Sequence, residues 1–156
     1  MADTELTFQE ICDFFNKVRK INISINSIQL ALSRLFIDLA SVKACSYDTT
    51  RVTGTKNSDL LNIVMQIEER TQTQQQKLLE MINEKLLMGE KALMYIELLT
   101  DDKEKSILFD RYLINATWTT IQKRYHYNEK YCMYLRNQAF FHIINAQNKS
   151  NTKKAL

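Results

Sequence analysis

Ten apolar residues, Ile11, Phe14, Val18, Ile21, Ile25, Ile28, Leu32, Leu35, Leu39 and Val42, follow one another at alternating steps of three and four. A strand repeats every two residues and cannot generate this pattern. An α-helix carrying a heptad seam does. Thr7 and Glu10 form a capping box just ahead of the stripe, so the sequence predicts one helix from about Phe8 to about Lys43. Its weakest stretch is INISI at 21–25, where β-branched side chains crowd the backbone and where a bend or break in the helix would come first. A second seam of Leu60, Val64, Ile67, Thr71, Gln74, Leu78, Met81 and Met88 predicts a helix from about Ser58 to about Leu99, with a polar waist at QTQQQ. From Leu79 a neighbouring stripe, Ile82, Leu86, Leu93 and Ile96, widens its apolar face. Residues 45–58, CSYDTTRVTGTKNS, read as a loop. Two long amphipathic helices joined this way predict an antiparallel coiled-coil hairpin over residues 1–99. Narrow seams leave apolar surface for a second copy, so the hairpin is also where a homodimer is expected.

Composition points the same way. The chain has no proline and only Gly54 and Gly89 among 156 residues, which favours long unbroken helices and disfavours a many-turned β-sandwich. Cys12, Cys45 and Cys132 lack the short paired spacing of zinc or redox motifs and read as reduced, packed thiols. No metal site or cofactor follows. The acidic, polar start MADTELTFQE and the lack of an apolar run near ~20 residues predict a soluble, cytoplasmic protein without a membrane span. Charge is uneven. From Ile121 onward seven Lys and Arg face one acid, Glu129, giving +6, whereas residues 1–120 carry 14 basic against 17 acidic residues, or −3. A basic third on an acidic body suits an approach to phosphates.

That basic third has an internal order. Asp101 and Glu104 cap a helix expected over Asp102–Ile114, Asn115–Ala116 turn the chain, and Thr117 caps a short helix, TWTTIQKR. Tyr125, His126 and Tyr127 interrupt, and Asn128 caps a last helix running to about Asn145, with a basic tail at 146–156 expected to fray. A short helix, a three-residue turn and a longer helix make the spacing of a helix-turn-helix, placing a DNA-binding domain at 100–145. At about 100° per residue, Cys132, Leu135 and Ala139 share the inner side of the last helix. Lys130, Tyr134 and Asn137 gather on the opposite side, with Met133 beside them and Phe141 further along. A cation, a phenol and an amide on one face suit a major groove. Asn128 sits at the amide-rich start of the helix, and Lys123 and Arg124 are placed to anchor phosphates. His126 and His142 have no acidic or cysteine partners at ligand spacing. No nucleophile, base and orienting group recur together, so an enzyme is not expected.

The run LFDRYLINATWTTIQKRYHYNEKYCMYLRNQAFFHI resembles the sigma-70 region 4-like module. The positions that carry the resemblance are Leu108, Arg111, Tyr112, Leu113, Thr117, Trp118, Ile121, Tyr127, Asn128, Ala139 and Phe140. His126 stands where that family usually has glycine, at a turn favouring positive φ. Thr119–Thr120 replace its acidic pair and Gln122 its small residue. Upstream, two long helices with a Thr/Gly-containing linker resemble the ArpU/RinA-like late-gene activators of phages and prophages. The resemblance implies a regulator that binds double-stranded DNA and works with RNA polymerase in a bacterial host. Two other readings remain open on the residues: a protein-interaction module that never touches DNA, and a small terminase-like packaging component.

Overall fold

The computed structural model describes residues 5–48 and 56–155, and every regular element among them is helical. The helices are α1 (Phe8–Asp48), α2 (Lys56–Glu97), α3 (Asp102–Leu108), α4 (Trp118–Tyr125) and α5 (Glu129–Lys154). One π-helical turn, Phe109–Leu113, continues α3. The expected loop is shorter than its composition suggested, because α1 runs on to Asp48 and α2 already begins at Lys56. The rest of that loop, with Gly54, lies outside the described residues. The capping box forms: the Thr7 amide donates to Glu10 Oε2 at 2.8 Å and the Glu10 amide to Thr7 Oγ1 at 3.3 Å. Hydrogen bonding to its charged form lowers the Glu10 carboxyl below its ordinary pKa. No break in the helix falls at INISI. Ile21 and Ile25 are buried, and burial outweighs the small helix penalty of β-branching.

The chain divides into two compact units, Met1–Asn22 with Lys85–Leu156, and Ile23–Glu84. This differs from a boundary near residue 99, and the reason is aromatic packing. The Phe15 ring on α1 lies 5.3 Å from that of Phe140 on α5, stacked, and 5.2 Å from that of Tyr112. Ile11, Phe15 and Val18 of α1 share one core with Ala92, Tyr95 and Ile96 of α2, Leu108, Tyr112, Ala139, Phe140 and Ile143. Truncating a ring buried like Phe15 typically costs about 3–5 kcal/mol, so the first turns of α1 belong energetically with the C-terminal third.

In the other unit, Ile25, Leu32 and Thr71 are buried. Leu60, Val64, Ile67, Gln74 and Leu78 of α2 are partly buried between exposed neighbours, as the heptad spacing requires, and Met81 is partly buried beside Ile82. Just ahead of the polar waist, the buried Thr71 is tolerated because its hydroxyl donates to the Ile67 carbonyl of its own helix at 2.8 Å. Lys43 and Glu68 approach to 4.0 Å, both well exposed, and such a pair adds little.

Two further expectations change. The tail is helical through Lys154: no proline or glycine interrupts it, and the Leu6 amide donates to Asn148 Oδ1 at 3.1 Å. One segment, Phe8–Ala44 within α1, is long and apolar enough by length and composition to cross a membrane, although little of its most apolar stretch is buried. Its apolar residues fall on two sides, the seam and an exposed outer row of Ile23, Leu30 and Ile37, and the two together raise its hydropathy.

Candidate nucleic-acid interface

Three side-chain caps set the geometry of the C-terminal third. Asp101 accepts from the Lys103 amide at 2.9 Å, Thr117 from the Thr120 amide at 3.2 Å, and Asn128 from the Tyr131 amide at 2.8 Å. Between α4 and α5 the chain reverses through His126, whose φ of 57° and ψ of 39° are left-handed. The Tyr127 amide then closes onto the Gln122 carbonyl at 3.1 Å, satisfying one of the last carbonyls of α4. A second left-handed residue, Asn115 with φ of 64°, ends the π turn, where the Ile114 amide reaches back to the Phe109 carbonyl.

Behind the turn, Cys132 and Leu135 of α5 pack with Ile107 and Ile121, and Trp118, Tyr125, Tyr127 and Tyr131 close over them. Ala139 packs instead in the Phe15 core. Burial raises the Cys132 thiol above its ordinary pKa, with the Glu129 charge adding to the effect. The Arg111 guanidinium carbon sits 4.7 Å above the centre of the Trp118 ring, and its Nη1 donates to the Ala116 carbonyl at 3.2 Å. Asp110 is buried and accepts from Tyr125 Oη at 2.6 Å and from Arg124 Nη1 at 2.8 Å. Burial, then the bond to Asp110 and its charge, raise the Tyr125 phenol above its ordinary pKa. The same carboxylate raises Arg124. Asp110 thereby ties the π turn to α4.

Lys130 and Tyr134 are exposed on α5, while Met133 and Asn137 beside them are partly buried. Asn137 Oδ1 accepts from Arg136 Nε and Nη2 at 3.2 and 3.0 Å, so the donors it has left are those of its own amide nitrogen. Phe141 remains 49% exposed with its ring 5.0 Å from that of Phe8. Lys123 is exposed on α4. Arg124 is drawn to Asp110, and Asn128 spends its side-chain oxygen on the helix cap. Both therefore hold structure as well as facing outward.

Several features had no local signal in the sequence. Tyr125, Tyr127, Tyr131 and Tyr134 form a continuous run of rings, with successive centroids 5.6, 4.9 and 6.2 Å apart, leading onto α5. His142 does have an acidic partner: its Nδ1 lies 2.9 Å from Oε2 of the buried Glu104, 38 positions earlier, so no motif scan pairs them. Burial raises the Tyr112 phenol and the Cys12 thiol above their ordinary pKa values, and the nearby Arg136 charge opposes that rise at both. Among the described residues no group of His, Cys, Asp and Glu is arranged to hold a metal ion. No family model, curated protein or solved structure matches this chain.

Proposed function

We propose that this chain is a sequence-specific DNA-binding transcription regulator, a late-gene activator of a phage or mobile element that works with RNA polymerase in the bacterial cytoplasm. The observation that carries the reading is the α4–turn–α5 arrangement. A sharp left-handed turn at His126 sets a capped helix whose outward side bears Lys130, Tyr134 and Asn137, and whose inward side is fixed by Cys132, Leu135 and Ala139. This arrangement supports reading the segment as a helix-turn-helix. Lys130 and Asn137 donate to base acceptors, Tyr134 and Met133 meet a thymine methyl or a sugar, and Lys123 with the Asn128 end of α5 lies against phosphates. Arg124 contributes charge there while held by Asp110. The long helices α1 and α2, as a coiled-coil hairpin, supply a homodimer or a surface for polymerase. No enzyme activity and no cofactor belong to this reading.

Binding to duplex DNA from upstream of its own coding region, measured across a salt series, tests it. Phosphate-dominated contact gives log K falling against log[salt] by about 0.9 per phosphate neutralised. The variant K130E should weaken specific binding by tenfold or more while leaving helicity unchanged, since Lys130 is exposed and has no partner among the described residues. Salt-independent binding, or K130E equal to the parent, would sink the proposal. That outcome favours a protein-interaction module, for which exposed Leu86, Leu87, Leu93 and Met94 on α2 offer apolar surface. A large ring in solution would instead point to a packaging component.

A further inference from the structure

We infer that Arg19, Arg111 and Arg136 form an oxyanion site that takes a phosphate group. They come from three places in the chain, α1, the π turn and α5, and each is partly buried. Asn22, one helical turn beyond Arg19, donates from Nδ2 to the Tyr112 carbonyl at 3.5 Å, which brings this face of α1 against the π turn beside Arg111. No carboxylate among the described residues pairs with any of the three arginines. Their partners among the described residues are neutral or aromatic: the Ala116 carbonyl and the Trp118 ring for Arg111, and the Asn137 amide oxygen and the Tyr112 phenol for Arg136. Arg19 Nε is buried with no hydrogen-bond partner at all.

Three guanidinium groups without an acid repel one another, and a buried N–H without an acceptor costs about 1–3 kcal/mol. The Arg111 guanidinium accordingly binds its proton less tightly than usual, because of burial first and then the charges of Arg19 and Arg136. An oxyanion relieves both problems, and planar guanidinium forks match the oxygens of phosphate. No carboxylate among the described residues pairs with the three, and Asp110 and Glu104, the buried acids nearby in sequence, are already engaged with Arg124 and Tyr125 and with His142. The phosphate has two sources: a backbone diester of DNA, which rests on the function proposed above, or a free phosphate-bearing small molecule, which does not.

The full-length chain is melted in inorganic phosphate against chloride at matched ionic strength. Binding to the native state alone makes Tm rise with log[phosphate] beyond the chloride control. R19Q and R136Q should lose that rise, R19K should retain part of it, and K85Q, at an exposed lysine of α2, should keep it. Without phosphate, R19Q should melt no lower than the parent, because it removes a like charge; an arginine there for packing alone would lower Tm. The second measurement is the DNA salt slope. A decrease of about 0.9 in R19Q assigns the site to a backbone phosphate, and an unchanged slope with lost phosphate response assigns it to a free phosphate compound. No phosphate-specific rise in the parent together with an unaltered slope in R19Q overturns the site. That result leaves the Lys130 test standing, just as failure to bind DNA leaves the phosphate melt interpretable.

Discussion

His126 occupies a backbone region that side chains with a Cβ enter at a cost of roughly 1–2 kcal/mol. Its φ of 57° and its exposure mean that the side chain returns little in packing. H126G should therefore raise the free energy of unfolding by about 1 kcal/mol, and H126V, β-branched, should lower it by at least as much. Urea midpoints for the two variants moving in the same direction would refute this account of the turn. The sequence did expose this position, because a three-residue break between two helical patterns leaves few ways to reverse a chain. A second residue-scale effect is alkaline lability. Cys12, Cys132, Tyr112 and Tyr125 all have proton affinities raised chiefly by burial, from ordinary values of 9.0 for the thiols and 10.0 for the phenols. A group whose folded pKa lies above its unfolded value lends stability that is complete below the unfolded value and is lost as pH rises through the folded one. Stability should hold to about pH 9 and then decline through and beyond pH 10. A urea midpoint equal at neutral pH and above pH 10 would contradict it, and Y112F should flatten part of the slope.

At the scale of elements, helix starts were legible and the ends of α1 and α5 were not. Asp101, Thr117 and Asn128 each cap where their side-chain chemistry points, because an N-cap is a local event spanning three or four residues. The end of α5 is set by a distant contact instead. Polarity and basic charge in 146–154 suggest fraying, but what holds this stretch is the bond from the Leu6 amide to Asn148, which joins residues 142 positions apart. Phe8 adds to it by setting its ring edge-on to Phe140 at 5.9 Å and alongside Phe141. Truncating the chain after Asn145 should therefore do more than remove a tail. It should lower the free energy of unfolding by about 1 kcal/mol, the scale of one net hydrogen bond with its local order, and reduce helical circular dichroism by more than the deleted residues alone account for. If the truncated chain unfolds at the parent's urea midpoint, the terminal turns of α5 are not fastened to the start of α1.

For the molecule as a whole, the heptad pattern revealed which residues of α1 and α2 turn inward but not what the bases of those helices pack on. The stacking of Phe15 on Phe140 joins residues 125 positions apart, and nothing in the spacing of either links them. The outer side of α1 poses the remaining question. Ile23, Leu30 and Ile37 recur every seven residues, so they stay in line on a supercoiled helix, yet Leu30 is 57% and Ile37 65% exposed. Single exposed apolar residues are ordinary, but a row in heptad register is the form in which helices recruit a further helix. If the hairpin makes the homodimer proposed above, this row is its seam. Burying a leucine or isoleucine fully contributes about 1.5–3 kcal/mol, so several such contacts repeated by two-fold symmetry suffice for association at micromolar protein. The double variant L30E/I37E should then sediment as a monomer with unchanged helical content where the parent sediments as a dimer. A parent that is monomeric at such concentrations removes the dimer, and a variant that stays dimeric moves the seam elsewhere, to the exposed leucines of α2.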